Sequence, residues 1–231
     1  MADSIPIYRF LNADGALKTL IDGRFRVGQL SQFNDPFEWR LGFTGITTPE
    51  EQWVADKIQS EHRPWVESWM GVLCFTGDAS NLALWSLYAD NHKGAAFEVK
   101  YPWKPDGIVK MAYSKDRPVL DFNELRKLGN DNERDEYLKS VICRLSNQKP
   151  VGFSFEQEHR LQIDLQDTVH CRLLNGHYYW KPPDGSFKRV VLGFQSPLEE
   201  TTVRKLLNMN GYADTDVVRA KLCQEAYSVI I

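Results

Sequence analysis

The chain reads as a single α+β domain over 1–231, with mixed, mostly antiparallel sheets and helices flanking them. Three observations point there. Apolar residues make up 42% of the 231 residues and aromatics 12%, a globular composition in a chain long enough to bury a substantial core. Period-two and helical stretches are interspersed without regular strand–helix–strand alternation, so a doubly wound parallel sheet is not expected. No internal repeat or low-complexity tract interrupts the pattern.

Taken in order, residues 5–10 are short, apolar and β-prone, a first strand. Asn12 or Asp14 can cap a helix through Leu17, Leu20 and Ile21, with Gly23 at its exit. Residues 24–30 read as a strand. Phe33-Asn34-Asp35-Pro36-Phe37-Glu38 is turn chemistry: short side chains bond back to the backbone, proline fixes its own φ, and flanking aromatics pin the loop. Thr48-Pro49-Glu50-Glu51 is a capping box with proline at the first helical position, and the helix is expected to reach about Ser60 and break at Pro64. A buried strand over 72–76 precedes a helix over 82–90, which Asn91-His92-Lys93-Gly94 ends. Strands over 95–99 and 108–114 follow.

Residues 121–146 are helical, strongly charged and interrupted near Gly129; with little to bury, they read as a helical insertion on the surface. Residues 153–165 alternate. Phe153, Phe155, Gln157, His159, Leu161, Ile163 and Leu165 form a mostly apolar side, and Ser154, Glu156, Glu158, Arg160, Gln162 and Asp164 a polar one, the pattern of a half-buried strand. Strands over 169–174 and 189–194 flank a turn at Lys181-Pro182-Pro183-Asp184-Gly185. Ser196-Pro197-Leu198-Glu199 is a second capping box, opening a helix that closes at Gly211, and one or two strands finish the chain.

Composition narrows the function. A net charge of −3 gives no basic footprint for tight non-specific binding to a duplex. Cys74, Cys143, Cys171 and Cys223 show no metal-ligand spacing, and reduced thiols in a cytoplasmic protein are expected. The first residues show no secretory signal, and no segment has the length of a membrane span, so no membrane partner is expected. The five histidines form no metal-ligand motif, and neither G-x-G-x-x-G nor a Walker sequence occurs.

Four clusters carry candidate chemistry. Arg9 sits between Tyr8 and Phe10 on the first strand, alternating away from the rings, and its planar fork suits phosphate or carboxylate. Cys74 and Thr76 share one face of a buried strand, where a hydroxyl can hold a ribose. Trp85, Tyr88 and His92 are spaced to share a helical face, from which a ring can stack on a base or simply pack the core. Glu156 and Glu158 would project together with Arg160. A fixed carboxylate pair can steady a sugar cation or move a proton; a solvated strand face shows the same pattern.

Four blocks resemble a widespread bacterial domain family of unknown function: Phe33 to Glu38; Leu84-Trp85-Ser86-Leu87-Tyr88-Ala89-Asp90-Asn91-His92-Lys93-Gly94; Phe155-Glu156-Gln157-Glu158-His159-Arg160; and Val190-Val191-Leu192-Gly193. They cover most of the chain in order. Their layout is similar to the ADP-ribosyltransferase superfamily, which carries an arginine or histidine on the first strand, a Ser-x-Ser-like segment on a middle strand and a Glu/Gln-x-Glu on a later one. Arg9 matches the first motif, Cys74-Phe75-Thr76 the second, with cysteine in place of serine, and Glu156-Gln157-Glu158 the third.

The resemblance implies NAD as substrate without a metal, and a macromolecular acceptor. It implies a toxin or phage-defence effector, with an antitoxin as partner. Arg9 would contact the dinucleotide, Thr76 the ribose or Glu158, Glu158 the ribose hydroxyl, and Glu156 the acceptor. Tyr88, or an aromatic of the Asn-Asp-Pro loop such as Phe33, would stack on a ring, with Asn34, Phe10 and His92 lining the same site. Two other classes stand beside this one. The first is a non-catalytic module on the same scaffold, binding a nucleotide or protein. The second is a metal-independent nuclease using Glu158, His159, His92 and Arg160, against which His159 alternates away from the glutamates.

Overall fold

The computed structural model describes residues 6–100 and 107–231. β1 (Ile7–Leu11) opens it; Ile5, the expected first residue of that strand, lies outside the described residues. α1 (Ala13–Asp22) is capped as its sequence predicts: Asn12 Oδ1 accepts the Gly15 N–H at 2.7 Å, and Gly23 ends the helix at φ 63°. β2 (Phe25–Arg26) is shorter than the strand expected over 24–30, because the chain continues into a Gly28–Val72 bridge and a 3-10 turn at Leu30–Gln32. β3 (Gly42–Thr44) leads to α2 (Pro49–Glu67), where the Thr48–Glu51 capping box forms. α2 continues through Pro64: the last turn buries Val66 and Ser68 N–H donates to Pro64 O at 3.1 Å, which offsets the one missing donor.

β4 (Met70–Thr76), α3 (Leu82–Leu87) and β5 (Ala95–Val99) follow. The strand expected over 108–114 is two, β6 (Ile108–Lys110) and β7 (Ala112–Ser114), because the buried Met111 turns its N–H to Glu158 O at 2.9 Å. After β8 (Val119–Asp121), the charged stretch forms α4 (Phe122–Lys127) and α5 (Asp131–Asn147), separated at the Asn130 cap; α5 buries only Val141 and Leu145. β9 (Gln148–Pro150) runs into a 3-10 turn, Val151–Glu156, and then β10 (Glu158–Asp164).

The strand expected over 169–174 is β11 (Cys171–Leu174), and β12 (His177–Trp180), which pairs with it, was not expected from the sequence. β13 (Phe187–Leu192) precedes α6 (Glu200–Met209), whose N-cap is Glu199 with no side-chain cap, so the expected Ser196 box does not form. Three short strands close the chain: β14 (Asp216–Arg219), β15 (Lys221–Leu222) and β16 (Val229–Ile230).

The main sheet has the order β14-β13-β5-β1-β4-β10-β6, antiparallel throughout except between β13 and β14. Because partners across a ladder share a face, Phe75, Phe97, Leu161 and Val190 turn together into the main core, against Leu20 of α1 and Val203 and Leu207 of α6. Each such side chain contributes roughly 1.5–3 kcal/mol on burial. Tyr8, Thr76 and Glu158, in register across β1, β4 and β10, occupy the opposite face, with Cys74 and Arg160 beside them. Among the described residues no helix is long and apolar enough to cross a membrane.

Candidate functional site

A fault in the main sheet opens the site. β1 follows β5 over five positions but meets β4 only at Tyr8–Thr76. Lower down, Gly28 takes the same edge of β4, exchanging two main-chain hydrogen bonds of 2.9 Å with Val72. A side chain at position 28 would have its Cβ 2.7 Å from the Phe33 ring and would have to displace it, so glycine suits the point where loop and strand close on each other. Between the diverging strands lies a cavity of about 270 Å³. It is lined by Tyr8, Arg9, Phe10, Gln32, Phe33, Asn34, Cys74, Thr76, Tyr88, Lys149, Glu156, Glu158 and Arg160, with main-chain and apolar groups between them.

Its wall is a chain of alternating charges. Arg160 donates through Nε to Glu158 Oε1 at 2.7 Å, and through its two terminal nitrogens to both oxygens of Glu38 at 2.6 and 2.9 Å. Lys149 donates to Glu158 Oε2 at 3.0 Å and also to Glu156. The Tyr88 hydroxyl donates to Glu156 Oε1 at 2.5 Å and accepts from Asn34 Nδ2 at 2.7 Å. Glu158 is 4% exposed and Arg160 3%, so the reading of these residues as solvated surface charges is overturned. Burial alone would raise the Glu158 carboxyl, but the Arg160 charge and hydrogen bonds, with Lys149 behind them, hold it down to about 2. Burial works against the Lys149 ammonium too, and the two glutamates more than compensate, leaving its pKa raised. Both carboxylate partners of Lys149 therefore face a permanent cation.

The carboxylates reach this wall by a different route from the expected strand. Residues 153–156 belong to the 3-10 turn, Gln157 takes a left-handed conformation at φ 45°, and only then does β10 begin. Glu156 is thus on the turn and Glu158 on the strand. The turn is tied to α3 by Asn81, which caps that helix through Oδ1 and donates from Nδ2 to Phe155 O at 2.6 Å. The Glu158 N–H donates to the Tyr113 hydroxyl at 2.7 Å.

Arg9, Phe10, Phe33, Asn34, Thr76, Tyr88, Glu156 and Glu158 all line the cavity. Arg9 does so in an unexpected way. It pairs with Phe97 on the core face, reaches under the fault, and donates to Cys74 O at 3.1 Å and Arg26 O at 3.0 Å, with its guanidinium 5.6 Å from the Phe25 ring. Burial lowers its pKa, and its buried Nε has no partner among the described residues. Two arms of its fork are thus engaged by main-chain carbonyls. Thr76 Oγ1 accepts the Asp78 N–H at 3.2 Å. Phe10 meets Trp85 edge-on at 4.9 Å, so it packs the core as well as lining the cavity. Burial pushes the Cys74 thiol well above the thiolate range, so the neutral thiol is its favoured form.

His92 is the correction. α3 stops at Leu87, and Asp90, Asn91 and His92 all take positive φ, so the expected Trp85–Tyr88–His92 face does not exist. His92 stacks on Trp85 at 5.8 Å and lies 4.9 Å from Phe194, away from the cavity. His159 turns from the glutamates, as alternation on β10 requires, and does not line the cavity either. Sequence reading missed Lys149 and Glu38. Lys149 had no motif around it, while Glu38 stood within a conspicuous block whose partner is 122 positions away. Among the described residues no group of three or more His, Cys, Asp or Glu side chains could hold a metal ion.

No protein-family model, curated protein or solved structure matches this chain.

Proposed function

We propose that the cavity performs glycosyl transfer from NAD, in the manner of an ADP-ribosyltransferase-like enzyme. The observation that carries this reading is Glu158: a buried, ionised carboxylate in the wall of a cavity, beside the Thr76 hydroxyl and the Tyr88 ring. A volume of about 270 Å³ suits the nicotinamide-ribose half of the dinucleotide, with the remainder at the mouth. In the reaction the bond between ribose C1′ and the pyridinium nitrogen breaks, and its electron pair neutralises the departing nicotinamide. The acceptor then bonds to C1′ and releases a proton.

Glu158 holds the ribose hydroxyl and opposes the positive charge that develops on the sugar, an interaction strengthened by exclusion of water. Thr76 steadies the ribose. Tyr88, kept a neutral hydroxyl because burial and Glu156 raise its pKa, offers a ring edge. Glu156 orients the acceptor and takes its proton. Arg9, with two arms already engaged, contributes positive charge to the cavity lining more than a grip on phosphate. The acceptor class, protein or nucleic acid, and a role as a toxin or defence effector with a cognate antitoxin belong to this same reading.

The test is nicotinamide release, followed by chromatography. Glu158→Gln is expected to retain NAD binding and lose about 10²–10³ in rate. Full turnover by that variant removes Glu158 from the reaction.

One observation favours a second reading, a non-catalytic nucleotide-binding module. Both oxygens of Glu158 are already engaged, by Arg160 and by Lys149, so part of its charge is spent within the protein. Calorimetric binding of NAD with no nicotinamide formed would support the module over the enzyme.

A further inference from the structure

The block from Phe33 to Glu38 stands out in the sequence, yet the reaction above gives it only a stacking part. In the fold it touches the charge chain at both ends. Glu38 grips Arg160 with both oxygens, at 2.6 and 2.9 Å, and four residues earlier Asn34 donates to Tyr88 at 2.7 Å. The loop between them is stiff. Asp35 is buried and its Oδ1 accepts the Phe37 N–H at 2.8 Å, while Pro36 fixes φ between them. Trp39 follows at φ 54°, buried in a cluster with Leu30, Val66 and Met70. A bulky residue in the left-handed region is held there by its surroundings. The Phe33 ring covers Arg160 at 5.5 Å.

We infer that loop 33–39 is the positioning element of this site: its Glu38 aims Glu158 through Arg160, and its Asn34 aims Glu156 through Tyr88. The case rests on closure. Asn34, Tyr88, Glu156, Lys149, Glu158, Arg160 and Glu38 form one ring of contacts, closed by the loop backbone. The two carboxylates lie on different elements, joined through the left-handed Gln157, and Lys149 draws both toward one point. The outer ties at Arg160 and Tyr88 oppose that pull, and both ties end on the same short loop. The consequence for turnover rests on the glycosyl-transfer reading; the consequence for Glu158 itself does not.

Carboxyl 13C NMR of glutamate-labelled protein tests it, with urea unfolding as a check on the fold. The groups facing Glu158 are Arg160 on β10, Lys149 on β9, Cys74 on β4, Arg9 on β1, Tyr113 on β7 and Glu156 on the 3-10 turn, and all are left intact. Glu38→Asp keeps the charge but shortens the side chain by one methylene, so it cannot span to Arg160 as glutamate does. Glu38→Gln keeps the shape and removes the charge. If Glu38 acted only as a remote anion, Glu38→Asp would leave the Glu158 midpoint in place and Glu38→Gln would lower it. If it aims Arg160, both raise it, by about one unit or more as the guanidinium moves off. A folded variant of either kind with no rise overturns the assignment.

Asn34→Ala changes no charge at an exposed position. It is expected to leave the Glu158 midpoint unchanged and to cut kcat for nicotinamide release about tenfold at constant KM. An unchanged kcat, or a change confined to KM, overturns the Asn34 half. A wild-type protein that releases no nicotinamide ends the reaction reading, and the Glu38 titrations then decide the positioning on their own.

Discussion

Two sets of ion pairs in this molecule have nearly the same lengths and opposite surroundings. On the helices, Lys18–Asp14, Lys127–Glu124 and Arg134–Asp131 span 2.7, 2.6 and 3.4 Å, each one helical turn apart and open to solvent. At the cavity, Arg160–Glu38, Arg160–Glu158 and Lys149–Glu158 span 2.6, 2.7 and 3.0 Å with every side chain buried. The first kind follows from local spacing and is screened by water. The second takes four charged side chains out of water at a cost of several kcal/mol each, which the mutual attraction only offsets. Apolar residues of similar volume would fill the same space more cheaply. The contrast therefore argues that the buried set serves the cavity, which Lys149, Glu158 and Arg160 line, not the stability of the fold.

The sharpest way to break this comparison is to remove the central cation. Lys149→Met leaves Glu156 and Glu158 facing each other without their shared partner, and is expected to cost about 3–5 kcal/mol in urea unfolding. Adding Glu156→Gln to that variant returns part of the loss, because one unpaired buried charge is then gone. If Lys149→Met unfolds no more easily than a helix-surface variant, water reaches the chain and the two sets are alike.

Acid sharpens the same point with a somewhat smaller effect. Glu158 is depressed from an ordinary 4.5 to about 2, so its contribution is fully present above the unfolded value and is lost as pH falls through the folded one. The size is on the order of 3 kcal/mol, spread between about pH 4.5 and 2. Lys149 has the opposite sign: its raised pKa keeps its contribution in place below the ordinary lysine value, so it adds nothing to the acid limb. Glu158→Gln should therefore be less stable than wild type at neutral pH and lose less on acidification. Parallel acid curves for the two proteins would mean that Glu158 is not held as an anion.

How much of this was legible in the sequence depends on range. α1, with its Asn12 cap and Gly23 exit, and the Thr48–Glu51 box were local and formed as read. So were β5 and the interruption of the charged helix near Gly129, which falls between Lys127 and the Asn130 cap. The pairing of Glu156 with Glu158 in one site was legible as a motif, but its geometry was not. Gln157 carries no glycine or asparagine to announce a left-handed turn, so the strand seemed continuous through 153–165. For His92 the signal was present: Asp90 and Asn91 both tolerate positive φ, and carrying the helical face beyond the expected end at residue 90 to His92 produced a face that does not exist. Lys149 could not be found from its neighbours, because β9 is a three-residue strand whose only ladder among the described residues is the parallel one with β7. The purpose of Glu38 and the capture of the Arg9 fork by main-chain carbonyls depend on contacts 122 and 65 positions apart, where local pattern is silent.

The smallest expected effect is the control on which the comparison turns. In Lys127–Glu124 the side chains keep 67% and 51% of their exposure, so Lys127→Met should leave the unfolding midpoint within experimental scatter. Salt makes this discriminating. About 1 M NaCl shortens the screening length to roughly 3 Å and removes whatever an exposed pair contributes, while a chain closed to solvent keeps its interactions. The penalty of Lys149→Met should then be the same at low and high salt, and any penalty of Lys127→Met should vanish. A Lys149 penalty that shrinks as salt rises would place mobile ions against the cavity wall. It would also weaken the chemistry proposed for Glu158, since a carboxylate screened by solvent loses the advantage that burial gives it over a developing sugar cation.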